Sequence, residues 1–455
     1  MSSKFVPADR MTPFLLPPSV QDWLPDDHLA RFVVDIVQQL DIRAIEKAYA
    51  GRGSKALHPS VLLSLLFYGY ATGVFSSRKL EAATYDSVAV RYICANTHPD
   101  HDTIATFRKR FLPELKDLFV QILLVAQAMG VLRLGQVSLD GTKVKANASK
   151  HKALSYAHAC KLEQQLRAEV GRLLEQAAQA DHEDRSDALD VPAELRRRQE
   201  RLAAIERAKA QIERRAAERY AREKEAYDEK VARRRRNEQK TGHKARGREP
   251  EPPEPGPKSS DQVNLTDEAS RIMPVSGGGF EQTYNAQAAV DMASLLIVET
   301  HVSQHPNDKK ELTPALEGMD ALPPELGRVT DAVADNGYLS QANVDACEQR
   351  QISPLLATKR DAHNRPLAER GVEPAPLPEQ ADAMARMQHR LQTQQGRALY
   401  AKRKTTIEPR FGIIKAVMGF RQFLLRGFPG VQGEWTLVCI ACNLRRLHGL
   451  TAAAA

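Results

Sequence analysis

The sequence predicts an α/β core, a mixed sheet with flanking helices, interrupted by a long helical hairpin insert and preceded by an all-α N-terminal domain. Three observations carry that prediction. Residues 1–132 hold apolar runs at helical spacing. Residues 152–261 form a charged stretch that closes in a Pro-rich linker. Short β-rich segments stand on both sides of that stretch, at 133–151 and within 262–455, where they alternate with helical ones.

In the N-terminal region, Pro59 and Ser60 open a segment dense in Leu62, Leu63, Leu65, Leu66 and Phe67, as befits a core helix. Ser76 to Ile93 reads as a second helix. A loop follows at Asn96 to His101, broken by Pro99, and Asp102 is the expected N-cap of the next helix. There Ile104, Phe107 and Phe111 share a face, while Arg108, Lys109 and Arg110 project elsewhere. Two short helices around a tight connection, the second basic, resemble a helix-turn-helix reader of DNA. A surface helix with solvated charges fits the same residues.

From Val137 the pattern changes to VSLDGTKVKANAS, a short strand ending at Asp140 with a turn expected at Gly141. Within the insert, Leu162, Leu166, Val170 and Leu173 repeat at three or four, and Leu202, Ile205 and Ile212 continue the theme. A break at Asp181 to Asp190, closed by Pro192, divides two amphipathic helices, read as an antiparallel coiled-coil hairpin. Arg233 to Arg236 give its end a basic run, and Glu249 to Lys258 is a linker. Strand signals return at Tyr284 to Val290 and Leu295 to Val302, around a turn near Asp291. Arg328 to Asp335 and Ile352 to Ala357 are further strands, with Asn336 and Gly337 as a turn. Tyr400 to Phe420 and Glu434 to Leu450 read as helices, with Gly433 and Gly449 at the ends of the last.

Composition bounds the function. The chain has 455 residues, enough for two to three domains, and a formal net charge of +8, which favours a polyanionic partner. The five cysteines make no disulfide framework, and Cys439 and Cys442 sit in an apolar run that reads as buried helix. The N-terminus has no signal-peptide pattern, and the apolar stretch from Ser60 to Val74 is too short to span a bilayer, so no membrane role and a cytoplasmic location are expected.

Three acids stand at informative places: Asp140 and Asp335 at strand ends and Glu408 on a late helix. Converging carboxylates repel one another unless cations are present, and all-oxygen ligands favour Mg²⁺ or Mn²⁺. With 57 acidic residues in the chain, spacing alone leaves Asp331, Asp308 and Asp291 open as alternatives. Lys143 and Lys145 fit a DNA backbone or an edge strand equally. Asn285 and Gln287 read as structural.

Val137 to Ser149, the segment DAVADNGYLS at Asp331 to Ser340, and YAKRKTTIEPRFGIIK at Tyr400 to Lys415 together resemble the DDE transposases of bacterial insertion sequences. Phe14 to Leu132 resembles the helical domain that precedes their catalytic core. The resemblance implies an RNase H-like core, with Asp140, Asp335 and Glu408 as catalytic ligands of two Mg²⁺ or Mn²⁺ ions. It implies that Tyr400, Arg403 and Lys415 flank the Glu. Arg403 lies one residue further from Glu408 than in the commonest form of the motif, with Lys404 nearer. The implied partners are double-stranded DNA, namely terminal inverted repeats and target DNA, with Tyr400, Arg403 and Lys415 as contacts implied by the motif. Arg108, Lys109, Arg110 and Lys143 are further DNA contacts expected from the basic residues themselves. A homodimer or larger assembly on nucleoid DNA is expected. A nuclease that cuts without joining and an inactive DNA-binding protein are the alternatives.

Overall fold

A computed structural model describes residues 19–49, 56–183, 191–244, 247–275, 277–358, 372–378 and 380–454. The chain divides into two compact units, residues 1–144 with 285–455, and residues 145–284.

The first unit opens with helices α1 (Val20–Trp23), α2 (Leu29–Gln39), α3 (Arg43–Lys47), α4 (Pro59–Ala71), α5 (Ser77–Asp86), α6 (Val88–Ile93), α7 (His101–Arg110) and α8 (Leu115–Ala128). Helix α4 starts on Pro59, where the missing N–H costs nothing, behind His58, whose ring accepts from Ser60 N. Its side chains are buried almost all round, as its uniform hydrophobicity demands. The helix expected from Ser76 to Ile93 is two, split at Ser87, whose hydroxyl caps α6 by accepting from Val90 N. Asp100, not Asp102, caps α7: its carboxylate reaches Thr103 N at 2.7 Å, three positions into the helix.

The strands, in chain order, are β1 (Leu134–Lys145), β2 (Ala153–Ser155), β3 (Gln262–Asn264), β4 (Arg271–Pro274), β5 (Phe280–Asp291), β6 (Ile297–Ser303), β7 (Gly327–Ala334) and β8 (Ser353–Leu356). In the first unit the sheet order is β6, β5, β1, β7, β8. Strands β1 and β7 are parallel with Ser138 opposite Val333, and β7 and β8 are parallel with Ala334 opposite Leu356. Strands β5 and β6 are antiparallel, with Gln287 opposite His301. Their turn is held by Asp291, which accepts from the N–H and the hydroxyl of Ser294. The turn expected at Gly141 does not form, and β1 runs on to Lys145. A Cβ at Gly141 would lie 2.1 Å from Gln287 Nε2 and 2.4 Å from Asp308 Oδ1, so this glycine serves close approach rather than turning.

Helices α11 (Leu312–Asp320) and α12 (Gln341–Gln349) flank β7, and α13 (Ala383–Gln392), α14 (Gln394–Ala401), α15 (Arg403–Gly412) and α16 (Phe428–Ala454) complete the unit. A π-helical turn at Ile413–Val417 follows α15. Gly433 and Gly449 lie inside α16 rather than at its ends. Gly433 faces Leu112, which an added Cβ would meet at 2.8 Å, so packing explains it. Cys439 and Cys442 are buried on α16, and burial raises both thiols, Cys442 to about 11.

The second unit holds α9 (Tyr156–Glu183) and α10 (Val191–Thr241). Residues 184–190 of the expected break lie outside the described residues. The helices run antiparallel: Glu163 pairs with Lys209, Arg167 with Glu206, and Glu169 with Arg198. Leu166, Ile205, Ala208 and Ile212 form their seam, extended by Leu154 and Val263 of the paired strands β2 and β3. Strand β4 pairs with the start of β5, Arg271 opposite Thr283.

The second unit, 145–284, contains the insert expected at 152–261, and the N-terminal helices fall in the same unit as residues 285–455. Tyr70 on α4 donates at 2.8 Å to Glu434 on α16, a fully buried carboxylate that also accepts from Leu424 and Leu425 N–H.

Candidate active site

Asp140 sits mid-strand on β1. Its Oδ1 accepts from Gly141 N at 2.8 Å, and its Oδ2 accepts from Arg403 Nη1 at 3.2 Å. Burial and the neighbouring Asp335 push its carboxyl up to about 6, against the pull of Arg403. Asp335 stands one residue past β7, where the strand gives way to a short 3₁₀ turn, and accepts from Gly337 N at 2.8 Å. Glu408 is on α15, half-exposed, and accepts from Arg403 Nη2 at 3.1 Å.

Arg403 thus spans Asp140 and Glu408 with one guanidinium. Its side chain is only 13% exposed. Burial would lower its pKa, but Asp140, Tyr400, Asp335 and Glu408 outweigh that and raise it. Its Nε is buried and meets no acceptor among the described residues. A Lys at this place could not serve both acids through one planar fork.

Lys415 also turns inward. Its Nζ donates to Thr142 Oγ1 at 2.5 Å and to Lys143 O at 3.2 Å, tying the π-helical turn to β1, and burial lowers its pKa. Lys143 lies 3.9 Å from Asp308. Tyr400, on α14, packs against Val333, Leu355 and Leu399.

The open alternatives separate. Asp331 is buried and paired with Arg390 at 2.5 Å, with Gln136 and Thr330 beside it, so it locks β7. Asp291 holds the β5–β6 turn. Asp308 belongs to the acidic group, since the site that Gly141 keeps open is shared by Asp308, Asn285 and Gln287. Asn285 and Gln287, expected to be structural, are buried at a two-residue spacing on one face of β5 and both donate to Asp308 Oδ1.

The basic residues of α7 lie elsewhere. Arg108 is a correction: it is buried, and donates to Tyr70 Oη at 3.1 Å and Phe75 O at 2.8 Å, so it is not presented to DNA. Helix α7 needs an inward face, and the buried Tyr70–Glu434 pair gives a cation there a partner. Lys109 and Arg110 are exposed, and Arg110 lies over the Tyr49 and Phe111 rings. With Lys116 they border a cavity of about 740 Å³ whose other wall includes Glu299 and His301.

Chemically, the site offers carboxylate oxygens from three elements and a buried cation between two of them. Among the described residues no three acids, His or Cys stand as a ready-made ligand cluster. Even so, hard oxygen donors from three elements and a guanidinium seated between two of the acids fit a site that takes positive charge.

The profile described as "Transposase domain (DUF772)" matches residues 18–110, and that described as "Transposase DDE domain" matches residues 253–444. This chain belongs to the DDE transposases of insertion sequences. The transposase is therefore a DNA-binding enzyme of a family that uses divalent metal ions, and its DDE domain implies an RNase H-like fold. The second match contains Asp335 and Glu408, while Asp140 precedes it. Neither curated proteins nor solved structures give a match. Among the described residues no helix is long and apolar enough to cross a membrane.

Proposed function

We propose that this transposase cuts at the ends of its element and joins the freed 3′-hydroxyls to target DNA, with Asp140, Asp335 and Glu408 holding two Mg²⁺ or Mn²⁺ ions. The observation that carries this reading is the single guanidinium of Arg403 shared by Asp140 and Glu408, with Asp335 acting on both Asp140 and Arg403. Bound metal supplies Lewis acidity to the attacking and leaving oxygens of an in-line phosphoryl displacement.

The chain's own residues do the rest. Asp140 and Asp335 gather negative charge on neighbouring strands, and Glu408 brings a third carboxylate from α15. Arg403 neutralises part of that charge, and beside Asp140 and Glu408 its guanidinium would be placed to meet a phosphate oxygen of bound DNA. Lys415 braces β1 against the helix that carries Glu408. Lys143 lends positive charge for the DNA backbone. Lys109 and Arg110 contact the phosphates of the terminal repeats, which makes binding weaken steeply with salt. Two ends must meet, so the working form is a dimer or larger assembly on nucleoid DNA.

The test is cleavage and strand transfer on a labelled element end with Mg²⁺. Asp140→Asn, Asp335→Asn and Glu408→Gln are each expected to lower both steps by about a hundredfold or more while leaving DNA binding intact, the scale for removing one stabiliser of developing charge. Active variants would overturn the assignment. Cutting without joining would mark a nuclease, and binding without either step a DNA-binding protein.

A further inference from the structure

Asp308 lies on the loop between β6 and α11, in neither of the two segments that carry the last two proposed acids. Its Oδ1 accepts from Asn285 Nδ2 and from Gln287 Nε2, both at 2.6 Å. Those donors are themselves braced. Tyr338, fully buried, donates to Gln287 Oε1, and Trp435 Nε1 donates to Gln287 O at 2.9 Å. Asn285 Nδ2 also meets His305 O at 3.2 Å, which fixes the way its amide faces. Two buried strand residues, a Tyr and a Trp therefore converge to orient one carboxylate.

The other oxygen is turned toward the acids. A Cβ built on Gly337 would stand 2.9 Å from Asp335 Oδ1 and 3.6 Å from Asp308 Oδ2, so both carboxylates border the same glycine. On the other side, the glycine after Asp140 is the one that Asp308 Oδ1 would strike. Among the described residues no donor meets Asp308 Oδ2. Asn285 Oδ1, in a residue with no exposed surface, is likewise without a hydrogen-bond partner among the described residues, and an added Gly141 Cβ would lie 2.9 Å from it. A buried carbonyl oxygen left this way costs free energy unless something electropositive reaches it.

From this geometry we infer that Asp308 is a fourth carboxylate of the site, ligating divalent metal through Oδ2 while Asn285 and Gln287 hold Oδ1. The inference rests on the metal-binding reading above. Carboxylate ligands are commonly held by hydrogen bonds from a surrounding layer of this kind, and such support sets metal affinity. A loop anchor alone would need one amide, not two with their own braces. Lys143, 3.9 Å from Oδ1, offsets the added charge.

Mn²⁺ binding to the whole transposase, followed by electron paramagnetic resonance without DNA, tests the idea apart from activity. Asp308→Asn keeps an oxygen for both amides, so the metal-free melting temperature should hold, while Mn²⁺ affinity falls about tenfold or more. Asp308→Glu restores the carboxylate and should recover part of that affinity. Asp335→Asn is the control. If it abolishes binding while Asp308→Asn binds as wild type, Asp308 is not a ligand and the three-acid site stands. If Asp335→Asn binds normally, or wild type binds no Mn²⁺, the metal reading itself falls and Asp308 with it. If both Asp308 variants melt early yet bind Mn²⁺ as wild type, the residue is a loop anchor and the inference is overturned.

Discussion

The two compact units of this transposase bury their chains in opposite ways. In the first, α4 turns nearly every side chain inward and α16 runs through the interior with Trp435, Leu437, Val438 and Ile440 fully buried. That interior also takes in charge: Glu434 and Arg108 share Tyr70, and His301 lies between Glu299 and Glu311. In the second unit, α10 is 51 residues long, yet its buried side chains are Ile205, Ala208, Ile212 and Ala216 among those described. Beyond Ala216 the described side chains of α10 are exposed or partly exposed, and its ion pairs there include Arg219 with Asp261 and Arg234 with Glu238. The lesson is that chemistry is assembled where elements distant in sequence are held rigidly by a thick interior. A two-helix seam needs only helix-forming residues and a narrow apolar stripe.

The contrast can be broken most directly at Glu434. Glu434→Ala strands Tyr70 Oη, Arg108 and the N–H groups of Leu424 and Leu425, and should cost about 3–5 kcal/mol in denaturant unfolding. A loss under about 1 kcal/mol would mean the buried charge is not structural. In the insert, Ile205→Ala should cost about 2–5 kcal/mol locally. Hydrogen exchange should speed up in α9 and α10 while β1, β7 and α16 keep their protection. Equal loss of protection in β1, β7 and α16 would overturn that expectation.

A third measurement sharpens the comparison through pH. Burial alone would lower the His301 pKa, but Glu299 and Glu311 outweigh it and raise it to about 9 from 6.5. Because the folded value is raised, this stabilisation is fully present below about pH 6.5 and is lost as pH rises through about 9. At most about 3 kcal/mol of first-unit stability is at stake. In the insert, hydrogen bonds from Gln165 and Arg198 lower the Glu169 carboxyl and those to Glu194 and Glu169 raise the Arg198 guanidinium, both away from that window, so its exchange protection should stay flat. Replacement of His301 by Gln should remove the slope, and an unchanged slope would sink the assignment. The smallest effect is expected at Arg235→Ala, an exposed position on α10, which should shift stability by no more than about 0.5 kcal/mol.

Much of the chain was legible one element at a time. The strand around Asp140, the strand before Asp335, the Asp291 turn and the helical hairpin all announced themselves by local period or turn chemistry. The misreadings share one cause. Gly141, Gly433 and Gly449 look like breakers in sequence, yet the chain runs through each as strand or helix. What Gly141 and Gly433 accommodate is a side chain from elsewhere, Gln287 and Leu112. Arg108 reads as a DNA contact beside Lys109 and Arg110, because nothing local reveals that Tyr70 and Phe75 wait on its side of α7. Asp331 and Asp308 looked alike as spare acids. Only partners 59 residues away for the one, and 21 and 23 for the other, tell them apart.

By itself the sequence determined the element types, the insert, the basic balance and the family resemblance, because backbone period, turn residues and short motifs are properties of neighbours in the chain. The tertiary structure decided which acid stands beside which, that one Arg bridges Asp140 and Glu408, and that Asp308 joins them while Asp331 does not. Those outcomes depend on electrostatics and close packing between residues tens to hundreds of positions apart, and such distances are set only when the sheet and its helices are assembled.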